Sequence, residues 1–249
     1  MASVSNLVLL SSQMALAQSM DIVANNIANA STTGFKREGI AFETLLSRGA
    51  ISNNPPANFV FDRSTFRDMG GGPITNTGNP LDLAIEGDGY FQVQLPNGTT
   101  GFTRAGTFKL STDGTIITQS GLPVIGDGGT VTIPNTVSEI NVSGDGYVTA
   151  RVDNGAALAQ LGKIVVMKFD DNQKLQPIGN GVFTTTQQPQ PAVDSVIREG
   201  AIEQSNVEPV IEITDMIRIM RSYEQASTMI SNENQRQTDA ITRLGKIAS

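Results

Sequence analysis

The stretch from Asn206 to Ile247, NVEPVIEITDMIRIMRSYEQASTMISNENQRQTDAITRLGKI, decides how the rest of the chain is read. Ile213, Met216, Met220, Tyr223, Ser227, Ile230, Asn234, Gln237, Ile241 and Leu244 recur at alternating steps of three and four, which is a heptad seam on a helix. Arg218, Glu224, Gln225, Glu233, Arg236 and Asp239 fall outside it and suit a solvated face. Asn206 is the expected N-cap, and Pro209 falls in the first turn, where a missing N–H is harmless. Such a helix spans about 60 Å. A seam of this length needs another helix to cover it. Ser227, Asn234 and Gln237 interrupt it with polar groups, which lower stability but specify register and partner.

The N-terminal end is similar. Residues 4–30 read as a helix in which Leu9, Leu16, Val23 and Ala30 recur every seven positions, with Met20 and Ile27 in a second row. Asn25, Asn26 and Asn29 are poor helix formers, so their amides are expected to find partners in packing. Gly34 suits the positive φ that ends a helix.

Residues 36–72 read as an extended connector, with Phe42–Leu46 as a short helix or strand and Gly70-Gly71-Gly72 as a flexible joint. Residues 73–200 read as short antiparallel strands. Alternation over Leu81–Ile85, a strand over Tyr90–Leu95, the turn Asn97-Gly98, a strand over Phe102–Leu110 and the turn Asp113-Gly114 set the pattern. Further strands follow in Asn141–Val152, Ile164–Phe169 and Gly181–Thr186. Gly-Asp-Gly-Tyr occurs at 87–90 and 144–147 as recurring turn chemistry. The expected fold is therefore α+β: helices over 1–35 and 201–249 form a coiled-coil stem, and a central antiparallel β domain is carried beyond the connector.

Composition narrows the function. The chain has 249 residues, 39% hydrophobic and 5% aromatic, a net charge of −7, and neither Cys nor His. An acidic chain is a poor nucleic-acid partner. Disulfides, Cys or His metal sites and His-dependent triads are excluded. Uninterrupted apolar runs fall far short of the roughly 20 residues of a membrane span, so no membrane insertion is expected. Leu7–Leu10 followed by Ala15-Leu16-Ala17 imitates a cleavable signal, but the apolar run is short and no basic residue precedes it. Asp82, Glu86, Asp88, Asp145, Asp170 and Asp171 are the acids that could serve catalysis. Three of the Asp-Gly steps, at 88, 113 and 145, read as turns, and no enzyme activity or cofactor is expected.

The motifs also carry a resemblance. Ala24–Asn29 with Thr33-Gly34-Phe35-Lys36 resembles the N-terminal signature of flagellar axial proteins. Thr77–Ile85, Gly89-Tyr90-Phe91 and Phe102-Thr103-Arg104-Ala105-Gly106 are similar to the hook–rod subset, and Ser205-Asn206-Val207 with Arg221-Ser222-Tyr223-Glu224 to its C-terminal signature. Phe61–Asp68 leads into Gly72-Pro73-Ile74 without a longer insert, which resembles proximal-rod rather than distal-rod members. Ile217–Met220 departs from the usual Ile-Xaa-Ala-Gln. The resemblance implies a rod subunit exported by the flagellar type III apparatus, assembling in the periplasm with copies of itself and other rod proteins to carry motor torque. Phe42–Leu46 loosely resembles an export-gate motif, although simple packing accounts for it as well. The candidate subunit-interface residues are Leu9, Leu16, Met20, Val23, Asn25, Asn26, Ile27 and Asn29, together with Ile213, Met216, Met220, Tyr223, Ile230, Asn234, Gln237, Ile241 and Leu244. A secreted β-rich glycan-binding adhesin is the alternative from another class; it leaves both heptad ends unexplained.

Overall fold

The computed structural model describes residues 4–47, 57–134, 137–152 and 158–247. An N-terminal helix, a central antiparallel β region and a C-terminal helix follow one another, and the chain divides into two compact units.

The first unit comprises Met1–Ala28, Glu38–Asp68 and Glu208–Ser249. Helix α1 runs over Val4–Ala28 and helix α2 over Pro209–Ile247. The two pack along one another. Asn6 donates to Asn234 at 3.0 Å and Asn26 to Glu212 at 3.1 Å, so the pair is antiparallel. Beyond Asn234, α2 continues for about three and a half turns. Strands β1 (Glu38–Ser47) and β2 (Ala57–Arg67) form a long antiparallel ribbon against α1. Within the connector, Glu38–Ser47 and Ala57–Arg67 are paired strands, and Phe42–Leu46 lies in β1, although its side chains lie outside the described residues. In the ribbon the Phe66 ring covers the bare Cα of Gly39, its register partner.

Two expectations about the ends of the helices change, and the composition of α1 bears on a third. Ala30 falls in the turn that follows α1, not in the helix. Asn206 does not cap α2, which begins at Pro209, because its side chain is used elsewhere, as described below. The Asn6–Ala28 window of α1 is long and apolar enough, by length and composition alone, to cross a membrane, with a mean hydropathy of 1.4. Its Ala, Val, Leu and Met residues are diluted by Ser, Gln and Asn but carry a single charge, Asp21, so the average is high where no uninterrupted run exists.

The second unit comprises Asn29–Arg37 and Met69–Val207. It thus draws on residues outside the expected 73–200. Strands β3 (Ile74–Asn76), β4 (Leu83–Glu86), β5 (Tyr90–Gln94) and β6 (Thr100–Thr103) open it. Strand β5 is central: it pairs with β6, with Val124–Gly126 and with Val166–Lys168. Asn97-Gly98 closes the β5–β6 hairpin, with Gly98 at φ 82° as a tight turn requires. Late strands return to the start of the unit, Val196–Glu199 against β4 and Ala201–Glu203 against β3. Val137–Val142, Tyr147–Val152 and Leu158–Lys163 form a separate three-stranded sheet.

The expected strand over Phe102–Leu110 is broken. Arg104–Gly106 leaves the sheet, and Phe108–Leu110 pairs with Ile116–Thr118 instead. Likewise Asn141–Val152 is two strands around the second Gly-Asp-Gly-Tyr turn. The main core gathers Leu83, Ile85, Phe91, Phe108, Ile116, Val124, Val148 and Ile164. A second, more aromatic cluster forms around Tyr90, Phe102, Phe169 and Phe183, with Phe102 and Phe169 edge to face at 4.7 Å.

Candidate functional site: an outward helical row and two buried polar nodes

On α2 the seam is displaced from the expected one at every second position. Met216, Tyr223, Ile230 and Gln237 are half-buried. Glu212, Ile219, Ala226 and Glu233 flank them on the covered side; Glu212 is 0% exposed and Ala226 7%. Ile213, Met220, Ser227, Asn234 and Ile241 lie on the other flank, seven apart, and all are exposed. The small Ala226 side chain permits close approach of α1, and the Asn26–Glu212 bond fixes the register. The helix pair therefore covers one heptad row and leaves another outside. With Ile213 and Met220 stand Val210 and Ile217, 78% and 44% exposed. On α1, Leu7, Leu10 and Met14 form a corresponding exposed stripe. Leu9, Leu16, Met20 and Ile27 are half-buried and Val23 is buried. The side chain of Leu244 lies outside the described residues.

The asparagines divide. Asn26 is fully buried: its Nδ2 donates to the Glu38 carbonyl at 2.8 Å and to Glu212, and its Oδ1 accepts from the Glu38 N–H at 2.9 Å. It ties α1, β1 and α2 together and satisfies a helix-breaking amide in full. Asn25 is exposed, and Asn29 accepts from Thr32 in the turn after α1.

The other node lies within the second unit and was not read from the sequence. Glu203, 2% exposed, accepts from Lys36 Nζ at 2.7 Å, from the Gly72 N–H at 3.0 Å and from Arg104 Nε at 2.5 Å. The rest of the Arg104 guanidinium donates to the carbonyls of Gly89, Ile85 and Gly87. Burial pushes the Glu203 carboxyl up, but Arg104, Lys36 and the Gly72 N–H outweigh it and hold it below its ordinary value. Asn206 completes the lacing: its Oδ1 accepts from the Arg37 N–H at 2.7 Å, and its Nδ2 donates to the Gly70 carbonyl, which Lys36 also contacts. Within the second unit, the Gly70 carbonyl and the Gly72 N–H are thus engaged by Lys36, Asn206 and Glu203. A Cβ at Gly72 would sit 2.0 Å from the Gln204 carbonyl oxygen, so its glycine serves close packing. Gly34 likewise combines φ 68° with a Cβ position 2.6 Å from the Ala105 nitrogen. Lys36, Arg104 and Asn206 all belong to the signature motifs; what the sequence withheld was that they converge. The signal was available in Arg104, a lone charge in an apolar and small-residue stretch.

The acids weighed for catalysis have other partners. Asp82 accepts from Thr77, Glu86 pairs with Arg198, Asp171 caps a short 3₁₀ turn and Asp170 accepts from Gln190. Asp88 and Asp145 are exposed turn residues. Among the described residues no group of three or more His, Cys, Asp or Glu could hold a metal ion.

Comparison with known proteins follows the same segments. Residues 7–36 match the flagella basal body rod protein family, 84–150 the flagellar hook protein FlgE/F/G D1 domain, and 198–243 the flagellar basal body rod FlgEFG protein C-terminal family. The flagellar basal-body rod protein FlgF of Caulobacter vibrioides is 42% identical over 243 residues, covering 96% of each chain. FlgF of Mesorhizobium japonicum is 31% identical with the same coverage. FlgG of Agrobacterium fabrum is 32% identical over 87% of this chain and 90% of its own. With its terminal helices, its β unit and its signature residues all matched in order, the chain belongs to the flagellar basal-body rod protein family.

Proposed function

We propose that this chain is a structural subunit of the proximal part of the flagellar rod, in the periplasm, and that it transmits torque by packing its terminal helices against those of neighbouring subunits. The observation that carries this reading is the outward row Ile213–Met220–Ser227–Asn234–Ile241 beside the exposed Val210 and Ile217. It repeats every seven residues, as a coiled-coil seam does, and it stays exposed even though Asn234 accepts a hydrogen bond from Asn6 of α1. Each apolar side chain buried there contributes about 1.5–3 kcal/mol, so a few per subunit give a cohesive shaft. The partners are copies of the chain and other rod proteins, with the helices forming a coiled-coil stem in the assembly. Export through the flagellar type III apparatus follows from the family resemblance.

The proximal reading, rather than the distal one, is supported by length: FlgF relatives match over 96% of both chains, whereas the FlgG relative matches over 87% of this one. The test is a chromosomal deletion complemented by tagged protein. Loss of motility, rescue, and tag recovered in isolated basal bodies below the distal rod support the reading. A motile deletion strain, or tag confined to the distal rod, contradicts it.

A further inference from the structure

Lys36, Arg104 and Glu203 come from the beginning, middle and end of the second unit, yet meet at one buried point. The carbonyls of Gly70, Ile85, Gly87 and Gly89 satisfy N–H groups of the two cations but bring no negative charge. Glu203 brings that charge, and it does so from the strand Ala201–Glu203, which also closes the unit by pairing with β3. Closing the unit without Glu203 would bury two cations around a missing anion, a strongly unfavourable arrangement. Closing it without the segment around Lys36 would bury the carboxylate beside a single cation and leave the Gly70 carbonyl short of the Lys36 donor.

We propose that this triad is a folding gate: the β-rich unit stays open until residues 29–37 and 196–207 are both free to join it, with Glu203 as the closing charge. A chain emerging from a narrow passage, whichever end leads, has one member of the triad still withheld for most of its transit. It therefore remains extended until nearly all of it is released. The gate rests on the geometry of this unit and stands independently of the rod reading.

The test is refolding of the full chain from urea, followed by tyrosine fluorescence, for wild type, Glu203→Gln and Lys36→Met. The gate requires the triad to form in the folding transition state, so Glu203→Gln should slow folding on the order of a hundredfold and change unfolding little. Lys36→Met leaves the Glu203 carboxylate beside a single cation and should slow folding on the order of tenfold, less than Glu203→Gln, again with little change in unfolding. A Glu203→Gln chain that folds at the wild-type rate and only unfolds faster overturns the proposal. Where that variant does not fold at all, protease protection of stalled wild-type nascent chains decides. Protection of the β unit should arise only after Glu203 has left the ribosome, and protection while it is still inside overturns the gate.

Discussion

Gly71 and Gly72 are neighbours with opposite tolerances. A Cβ at Gly71 meets nothing within 4 Å, whereas one at Gly72 collides with backbone. Gly71→Ala is expected to leave the urea midpoint unchanged or slightly raised, since it stiffens the unfolded chain. Gly72→Ala should cost about 2 kcal/mol or more, because the strand carrying Glu203 must shift. Equal effects of the two substitutions would place the cost in the glycine run and not in the contact. Glu203 adds a pH dependence. Its folded carboxyl titrates below the ordinary value of 4.5, so the stability it contributes is complete above that value. It is lost as pH falls through the lower folded value. The gap in urea midpoint between wild type and Glu203→Gln should therefore be wide at neutral pH and shrink in acid; a constant gap would assign the loss to packing.

At the scale of elements, α2 has two heptad rows sharing one middle row. Apolar periodicity locates the shared row, Met216, Tyr223, Ile230 and Gln237, but cannot say which flank faces α1. Glu212 and Ala226 settle that, one by accepting from buried Asn26 and the other by being small. Neither is apolar and large, so a search for hydrophobic seams passes over both. The outward row should behave differently from the covered one. Ile213→Ser with Met220→Ser should leave the melting temperature of the free subunit within a degree or two, since both side chains are already about half exposed. The same pair should abolish motility. Ala226→Leu, on the covered side, should lower subunit stability by about 1–3 kcal/mol through overpacking. A double serine variant that swims normally would remove the outward row from assembly. Asn234→Leu loses the Asn6 hydrogen bond at an exposed position and should cost less than about 1 kcal/mol.

For the whole molecule, the order helix, β region, helix was legible because each has its own period, three to four against two, and because Gly-Asp and Asn-Gly pairs punctuate the strands. Long-range closure was not legible. Nothing in residues 29–37 or 201–207 announces by pattern that the two segments meet to complete one β unit; the buried pair Lys36 and Glu203, 167 residues apart, shows it. A consequence is that residues 73–200 expressed alone should fail to fold cooperatively, since Arg104 would lack Glu203, whereas residues 29–207 should give a single sharp transition. Circular dichroism melts of the two fragments check this.

The central claim, that the outward row of α2 is covered by neighbouring subunits, is open to a direct measurement because the chain contains no cysteine. Met220→Cys is labelled with a maleimide on the free subunit and in isolated basal bodies, and the labelling rates are compared. The account predicts ready labelling of the free subunit, where Met220 is 46% exposed, and strong protection in the rod. Equal labelling in both would mean that the row faces solvent in the assembled flagellum, and would contradict the account.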